Sequence, residues 1–343
     1  MTSLQKPKRL QKGDTVGIVA PSSGLAGLFP HRIERGLAEV RKLGFTPLLS
    51  SYALQRSGYV SSSPQQRAAD LHELFQNPKV TAIICTIGGN HANQVLKYLD
   101  FDLIKKNKKI FVGYSDITVL HYAFYCKANF MTFYGPCIIS EFGEYPSLLP
   151  YTKEYFLKAV MQSDSIGEIR ASETWTDEFL DWFRKKDLER PRKLEHSSGY
   201  EWWRHGSAEG PILGGAIPSI NHLAGTEYWV DPKGAIFFID IPEGSPGGPF
   251  PVSDLDAFLA DLDNLGVFKS IAGLIIGRPY RYSTDEVASL RTIVEYYTAG
   301  SAYPILYNAN IGHASPIITV PLGATVRLDS STNSFSIEES GVV

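Results

Sequence analysis

Compact apolar runs alternate with one-sided amphipathic stretches along most of the chain, and the alternation predicts strands and helices in turn. Thr15–Ala20, Val80–Cys85 and Ile110–Gly113 are short and almost wholly apolar, as strands buried on both faces must be. Between them, His31 to Leu43 places Ile33, Leu37, Val40 and Leu43 on one stripe and ends at Gly44, a helix with its C-terminal glycine. Ser63-Pro64-Gln65-Gln66 has the capping-box pattern with Pro at the first helical position, and Leu71, Leu74 and Phe75 give that helix an apolar face. The run from Ile117 to Tyr125 reads as a helix, Phe130–Tyr134 as a strand and Tyr151–Gln162 as a helix. Such alternation predicts an α/β fold with a parallel sheet covered on both faces, whose ligand sites lie at the carboxyl ends of the strands.

From about Ser163 to Glu209 the period is lost. This stretch is charged and rich in aromatics, with Trp175, Trp182, Phe183, Tyr200, Trp202 and Trp203, and it marks a junction between two domains. Exposed aromatics there either stack on a ring of a ligand or pack the domains together. Periodic patterning resumes near Gly210. Ala235–Asp240, Ala272–Ile276 and Pro304–Asn308 predict strands, and Leu255 to Leu265 a helix closed by Gly266. Ser283-Thr284-Asp285-Glu286 is a second capping box, and β segments at Thr325–Leu328 and Ser334–Ile337 end the pattern. The expected organisation is a domain over 1–165, an insertion over 166–209 and a second domain over 210–343.

Length and charge narrow the partners. The chain has 343 residues with 33 basic and 36 acidic side chains, a net charge of −3, so no strong field recruits nucleic acid polymers or anionic membrane. No apolar stretch reaches the roughly 18 residues needed to span a bilayer, and the polar start, Met1 to Asp14, lacks a signal-peptide core. Cys85, Cys126 and Cys137 are odd in number and lack metal-ligand spacing, which fits a reducing compartment. A cytoplasmic protein that acts on a small molecule, without metal or cofactor, is the expectation.

Candidate chemistry centres on Val112-Gly113-Tyr114-Ser115-Asp116. A serine at a strand-to-helix turn lies beside free backbone N–H groups at the positive end of the helix, where an alkoxide or oxyanion is stabilised; the commoner role for such a serine is to N-cap the helix, with Asp116 in its first turn. Thr86-Ile87-Gly88-Gly89-Asn90 follows the strand at Val80, and its paired glycines either expose N–H groups to an anion or simply make a tight turn. Of eight histidines, His313 has the most catalytic setting, behind Gly312 in a loop after a strand. His31 and His72 read as surface residues and His121 as core. A serine, a strand-end acid and a loop histidine make a triad in which His takes the serine proton and the acid orients the imidazole.

Four blocks together resemble the LD-carboxypeptidase and microcin C immunity family of serine peptidases: Val19-Ala20-Pro21-Ser22, Thr86-Ile87-Gly88-Gly89-Asn90, Val112-Gly113-Tyr114-Ser115-Asp116, and Gly312-His313 followed by Pro321-Leu322-Gly323. The resemblance implies a Rossmann-like N-terminal domain, a smaller C-terminal β/α domain, a site in the cleft between them and a homodimer. By motif it makes Ser115 the nucleophile, His313 the base, and the N–H groups of Gly89 and Asp116 the oxyanion hole. The third member departs from the family pattern. Where the family has a glutamate, this chain has Asp240, with Glu243 three residues on as a substitute, and Ala216 stands where the family commonly has Asn. Ile87 and Asn90 resemble the microcin C immunity branch more than the murein branch. That branch hydrolyses the amide-type bond between an aminoacyl group and a nucleotide-like moiety, and its insertion aromatics, here Trp175 and Trp182, stack on the base. Two rivals are a murein tetrapeptide LD-carboxypeptidase and a binding protein whose departures have ended catalysis.

Overall fold

The structure, a computed structural model, describes residues 4–245 and 247–343. The first half builds a six-stranded sheet. Its strands are β1 (Thr15–Val19), β2 (Thr46–Leu49), β3 (Val80–Cys85), β4 (Ile110–Gly113) and β5 (Phe133–Tyr134), in spatial order β5-β4-β3-β1-β2 and all parallel. Val16, Ile18, Ile83, Ile84, Phe111 and Val112 are buried almost completely, as apolar runs with a helix layer on each face should be. Two helices follow the apolar stripes closely. Pro30–Lys42 packs on β2 and Pro64–Gln76 on β1, and the second has both halves of its capping box, with Ser63 Oγ accepting from the Gln66 N–H and Gln66 Oε1 from the Ser63 N–H.

The sixth strand of this sheet is not local. Val320–Pro321 pairs antiparallel with β5, so the chain returns from the second domain to finish the first sheet's edge. The two ends of the described chain also meet: the Val343 N–H donates to the Pro7 carbonyl and the Arg9 N–H to that of Val343.

The second sheet has eight strands. Ser207–Ala216, Ile236–Asp240, Gly273–Gly277 and Ile305–Ala309 run parallel at its centre, and antiparallel strands flank them on both sides. Two of the edge strands, Gly167–Glu168 and Glu201–Arg204, come from the segment whose period is lost. The junction therefore widens the second sheet as well as joining it to the first. Trp203 stacks on Tyr307 with centroids 4.4 Å apart, which pins one end of that segment to the sheet. No helix among the described residues is long and apolar enough to cross a membrane.

The sheets are docked through a glycine contact. Gly215 has φ +156°, and a Cβ there would lie 2.3 Å from Thr118 Cγ2 and 2.5 Å from its hydroxyl. Thr118 stands on the helix Thr118–Ala123 just after Ser115, and its Oγ1 accepts from the Ala216 N–H at 3.1 Å while donating to the Ser115 carbonyl at 2.6 Å. Only a residue without a side chain lets the strand come this close. Gly215→Ala should destabilise the fold by about 2 kcal/mol or more, since overpacking and left-handed strain add, and urea unfolding measures the loss.

Candidate functional site

Ser115, Gly89, Asp240 and His313 lie at or just past the carboxyl ends of parallel strands, where open α/β sheets bind ligands. β4 ends at Gly113, and the chain turns through Tyr114 into a short 3₁₀ segment, Ser115–Ile117, before the helix Thr118–Ala123 and a π turn over 124–128. Ser115 sits at φ +64°, a conformation that costs a non-glycine residue roughly 1–2 kcal/mol. Its side chain caps nothing. What holds the turn is its backbone: the Ser115 N–H donates to Tyr134 Oη at 3.1 Å, and its carbonyl accepts from Thr118.

The Gly88-Gly89 backbone passes directly over this serine. A Cβ on Gly88 would come 2.7 Å from Ser115 Cβ and 3.2 Å from the Asp116 nitrogen, and one on Gly89, at φ +149°, would strike Ser22 and Ser23. Asp116 fastens the loop in place. Its buried carboxylate accepts from Ser22 Oγ at 2.5 Å and from the N–H groups of His91 at 2.7 Å and Ala92 at 2.8 Å, so the residue after Ser115 anchors the segment that covers it. Charge-assisted bonds of this kind are worth about 1.5–3 kcal/mol each, enough to fix a loop that has no side chains of its own to pack.

From the second sheet come the acid and the histidine. Asp240 ends the strand Ile236–Asp240, is fully buried, and its carboxylate lies 2.8 and 2.9 Å from His313 Nδ1 while also accepting the His313 backbone N–H at 3.2 Å. Gly312, at φ +111°, makes the approach possible, because a Cβ would fall 2.0 Å from Asp240 Oδ1. Tyr134, fully buried at the end of β5, donates its hydroxyl to Asp240 Oδ2 at 2.5 Å. One phenol thus joins the acid on one sheet to the serine backbone on the other. Glu243 is on the opposite side of the ring, with Oε2 3.6 Å from His313 Nε2, and so does not stand where an Nδ1 partner must. His313 Nε2 itself is buried with no hydrogen-bond partner; the bond to Ser115 Oγ is not made in this state. Burial alone would lower the imidazole's pKa, but the charges of Asp240 and Glu243 and the Asp240 hydrogen bond overcome it and raise the value to about 9.

Ser115, Gly88, Gly89, Tyr114, Glu243 and His313 line one cleft of about 400 Å³. Trp182 forms part of its wall, held edge-on against Phe29 with centroids 5.3 Å apart and covered on one face by the Arg32 guanidinium at 4.2 Å. Asp187, buried, ties this part of the insertion to the helix Pro30–Lys42 through Arg32, Arg35 and His31; burial would raise its carboxyl, but the two arginines keep it below the ordinary range. His31 is accordingly a half-buried side chain hydrogen-bonded to Asp187 and not a freely solvated one, and His72 Nε2 accepts the Asp100 N–H. Trp175 is not in the lining. It lies in a two-stranded ribbon with Glu195 and covers Arg278 at 4.1 Å. His121 is buried between Thr132 and Gly113, and desolvation lowers it to about 4. Among the described residues no group of three His, Cys, Asp or Glu side chains is placed to hold a metal ion.

Two family models match the chain in succession, that of the LD-carboxypeptidase N-terminal domain over residues 16–135 and that of the LD-carboxypeptidase C-terminal domain over residues 209–328. The chain belongs to the LD-carboxypeptidase family. Among curated relatives of this LD-carboxypeptidase family member, a putative carboxypeptidase of Bacillus subtilis, YocD, is 33% identical over 96% of the chain and 97% of its own length. The microcin C7 self-immunity protein MccF of Escherichia coli is 31% identical over 96% of the chain and 94% of its own. A solved structure of MccF in complex with aspartyl sulfamoyl adenosine superposes with a TM-score of 0.89 at 28% identity, over 99% of this chain and 100% of that one. The α/β fold and two-domain architecture are thus those of MccF, and LD-carboxypeptidase family membership makes the protein a peptidase-type hydrolase.

Sequence reasoning missed Tyr134. Its one signal is position: like Asp240 it is the last residue of a parallel strand, here just before Gly135-Pro136. In a titration followed by NMR, His313 of this LD-carboxypeptidase family member should titrate near pH 9, and Asp240→Asn should bring it down toward the ordinary 6.5. An imidazole that already titrates near 6.5 in the unaltered protein would show that the buried carboxylate does not govern it.

Proposed function

We propose that the protein is a serine peptidase of the microcin C immunity type, hydrolysing the amide-type bond between an aminoacyl group and a nucleotide-like moiety. The observation that carries this reading is that a single cleft is lined by Ser115, the Gly88-Gly89 backbone, the Asp240-bound His313 and the aromatic wall at Trp182. In this mechanism Ser115 Oγ attacks the acyl carbon while His313 Nε2 takes its proton. The N–H groups of Gly89 and Asp116 accept the charge that develops on the carbonyl oxygen, and Asp240 holds the imidazole in the required tautomer. The proton then passes from His313 to the leaving nitrogen, and water repeats the attack on the acyl-enzyme. Trp182 offers a flat apolar face for the base of the leaving group. Cytoplasmic location and a homodimer belong to the same reading, which rests on the microcin-type relatives and the ligand seen with MccF.

A murein substrate remains the second reading, because the matched family models carry the LD-carboxypeptidase description. Purified protein offered an aminoacyl sulfamoyl adenosine and a murein tetrapeptide side by side separates the two by mass spectrometry. Cleavage of the nucleotide analogue, reduced about ten-thousandfold or more by Ser115→Ala, is the expected result. Release of D-alanine alone would move the protein to murein chemistry, and no cleavage of either would defeat both readings.

Tyr134 is a positioning residue in this scheme. Its hydroxyl draws charge from Asp240, so its loss should leave the carboxylate a stronger partner for the imidazolium and move the ascending limb of kcat/KM to higher pH. Tyr134→Phe should lower kcat by roughly tenfold or more with KM little changed, as expected for a defect felt in the transition state. A fall in thermal stability with neither kinetic effect would mean the phenol only packs.

A further inference from the structure

Most of the charged groups that line the cleft are paired, and one carboxylate in it is unspent. Five carboxylates line it against three arginines, and two of those arginines are already paired: Arg32 with Asp187 at 3.1 Å and Arg192 with Glu144 at 2.7 Å. The third, Arg281, is exposed and donates to the Gly247 carbonyl. Of the carboxylates, Glu141 is buried and saturated by the Tyr114 hydroxyl, the Cys137 N–H and Ser140 Oγ, while Glu178 accepts from Arg190. Among the described residues, Glu243 alone of these carboxylates faces the cleft half-exposed with no cation but His313. Its backbone is fixed by a bridge to Pro249, and the Gly244 N–H donates to the Gly248 carbonyl, so the side chain projects from a held turn.

We propose that Glu243 is the receptor for a free ammonium group on the acyl component of the substrate, and that the cleft selects amine-bearing and basic aminoacyl groups over acidic ones. The inference rests on the serine-peptidase reading above and names the acyl half of that substrate. An α-ammonium is two bonds from the carbon that Ser115 attacks. It must therefore lie close to His313 Nε2 when the carbonyl is in place, and that is where the Glu243 carboxylate is found. The same contact couples binding to chemistry. Asp240 from the strand end, Glu243 from the turn after it and Glu141 from the segment after β5 all face His313, beside the Tyr114 ring at 4.9 Å, and together they favour its protonated form. A protonated His313 is no base. An arriving ammonium neutralises Glu243, the one of these carboxylates that is open to the cleft, and so favours the neutral imidazole that the reaction needs.

The test uses alanyl, lysyl and aspartyl sulfamoyl adenosine together with N-acetyl-alanyl sulfamoyl adenosine, on the unaltered protein and on Glu243→Gln. Expected are kcat/KM values that fall roughly 10- to 100-fold on N-acetylation and that favour lysyl over aspartyl. Glu243→Gln should remove most of both preferences and move the ascending pH limb downward, because a negative charge beside the imidazole is gone. Calorimetry on Ser115→Ala reads the amine preference without turnover. Ser115-dependent cleavage of the acetylated and free analogues at equal rates, or discrimination unchanged in Glu243→Gln, overturns the inference while leaving the peptidase reading intact. If no analogue is cleaved but Ser115→Ala binds the free amine in preference, the ammonium receptor stands and the peptidase reading fails.

Discussion

The Asp240 carboxylate is the hinge pin on which both domains depend. It is fully buried, and an uncompensated charge at such a depth would be strongly destabilising. Its donors come from separate parts of the chain: the imidazole and backbone of His313 on the second sheet, and the phenol of Tyr134 on the first. Satisfying this one group therefore requires the two sheets to be docked. Gly215 against Thr118 sets the distance at which they dock, and Tyr134 carries the connection on to the Ser115 backbone. The short side chain of Asp240 reaches the imidazole because Gly312 has no side chain to hold the histidine loop away.

A second carboxylate organises the other half of the cleft. Asp116 draws the Ser22, His91 and Ala92 donors inward and so stretches the Gly88-Gly89 backbone across Ser115. The two glycines have no side chains to pack. The loop's shape is imposed from outside by charge-assisted hydrogen bonds, which leaves its own N–H groups free to point at a ligand.

How much of this the sequence discloses depends on the range of the interaction that fixes each element. Capping boxes at Ser63 and Ser283, the glycine after Leu265 and the apolar runs of β1, β3 and β4 are local signals, and the elements appear where those signals put them. Ser115, Gly89, Asp240 and His313 were placed at strand ends by the same local reasoning, reinforced by the order of four motifs. What local patterning does not carry is whatever depends on distant partners. β5 is two residues long and its tyrosine matters only because Asp240, more than a hundred positions later, arrives beside it. The segment 163–209 lacks a period because its short strands borrow their order from sheet edges built elsewhere, and Trp175 and Trp182 part company there for the same reason. His31 reads as solvated until Asp187 is brought to it.

The strand Val320–Pro321 has a consequence for how such a chain can be made. Because it completes the edge of a sheet whose other five strands all precede residue 135, the first domain has an unfinished border until Val320 and Pro321 have been made. A ribosome making this chain holds a partly built sheet with β5 uncovered while the four parallel strands of the second sheet are synthesised, and the pairing of Pro7 and Arg9 with Val343 comes later still. The two domains are separate as sheets but not as products of translation, so neither can be cut away at the junction to yield a finished unit.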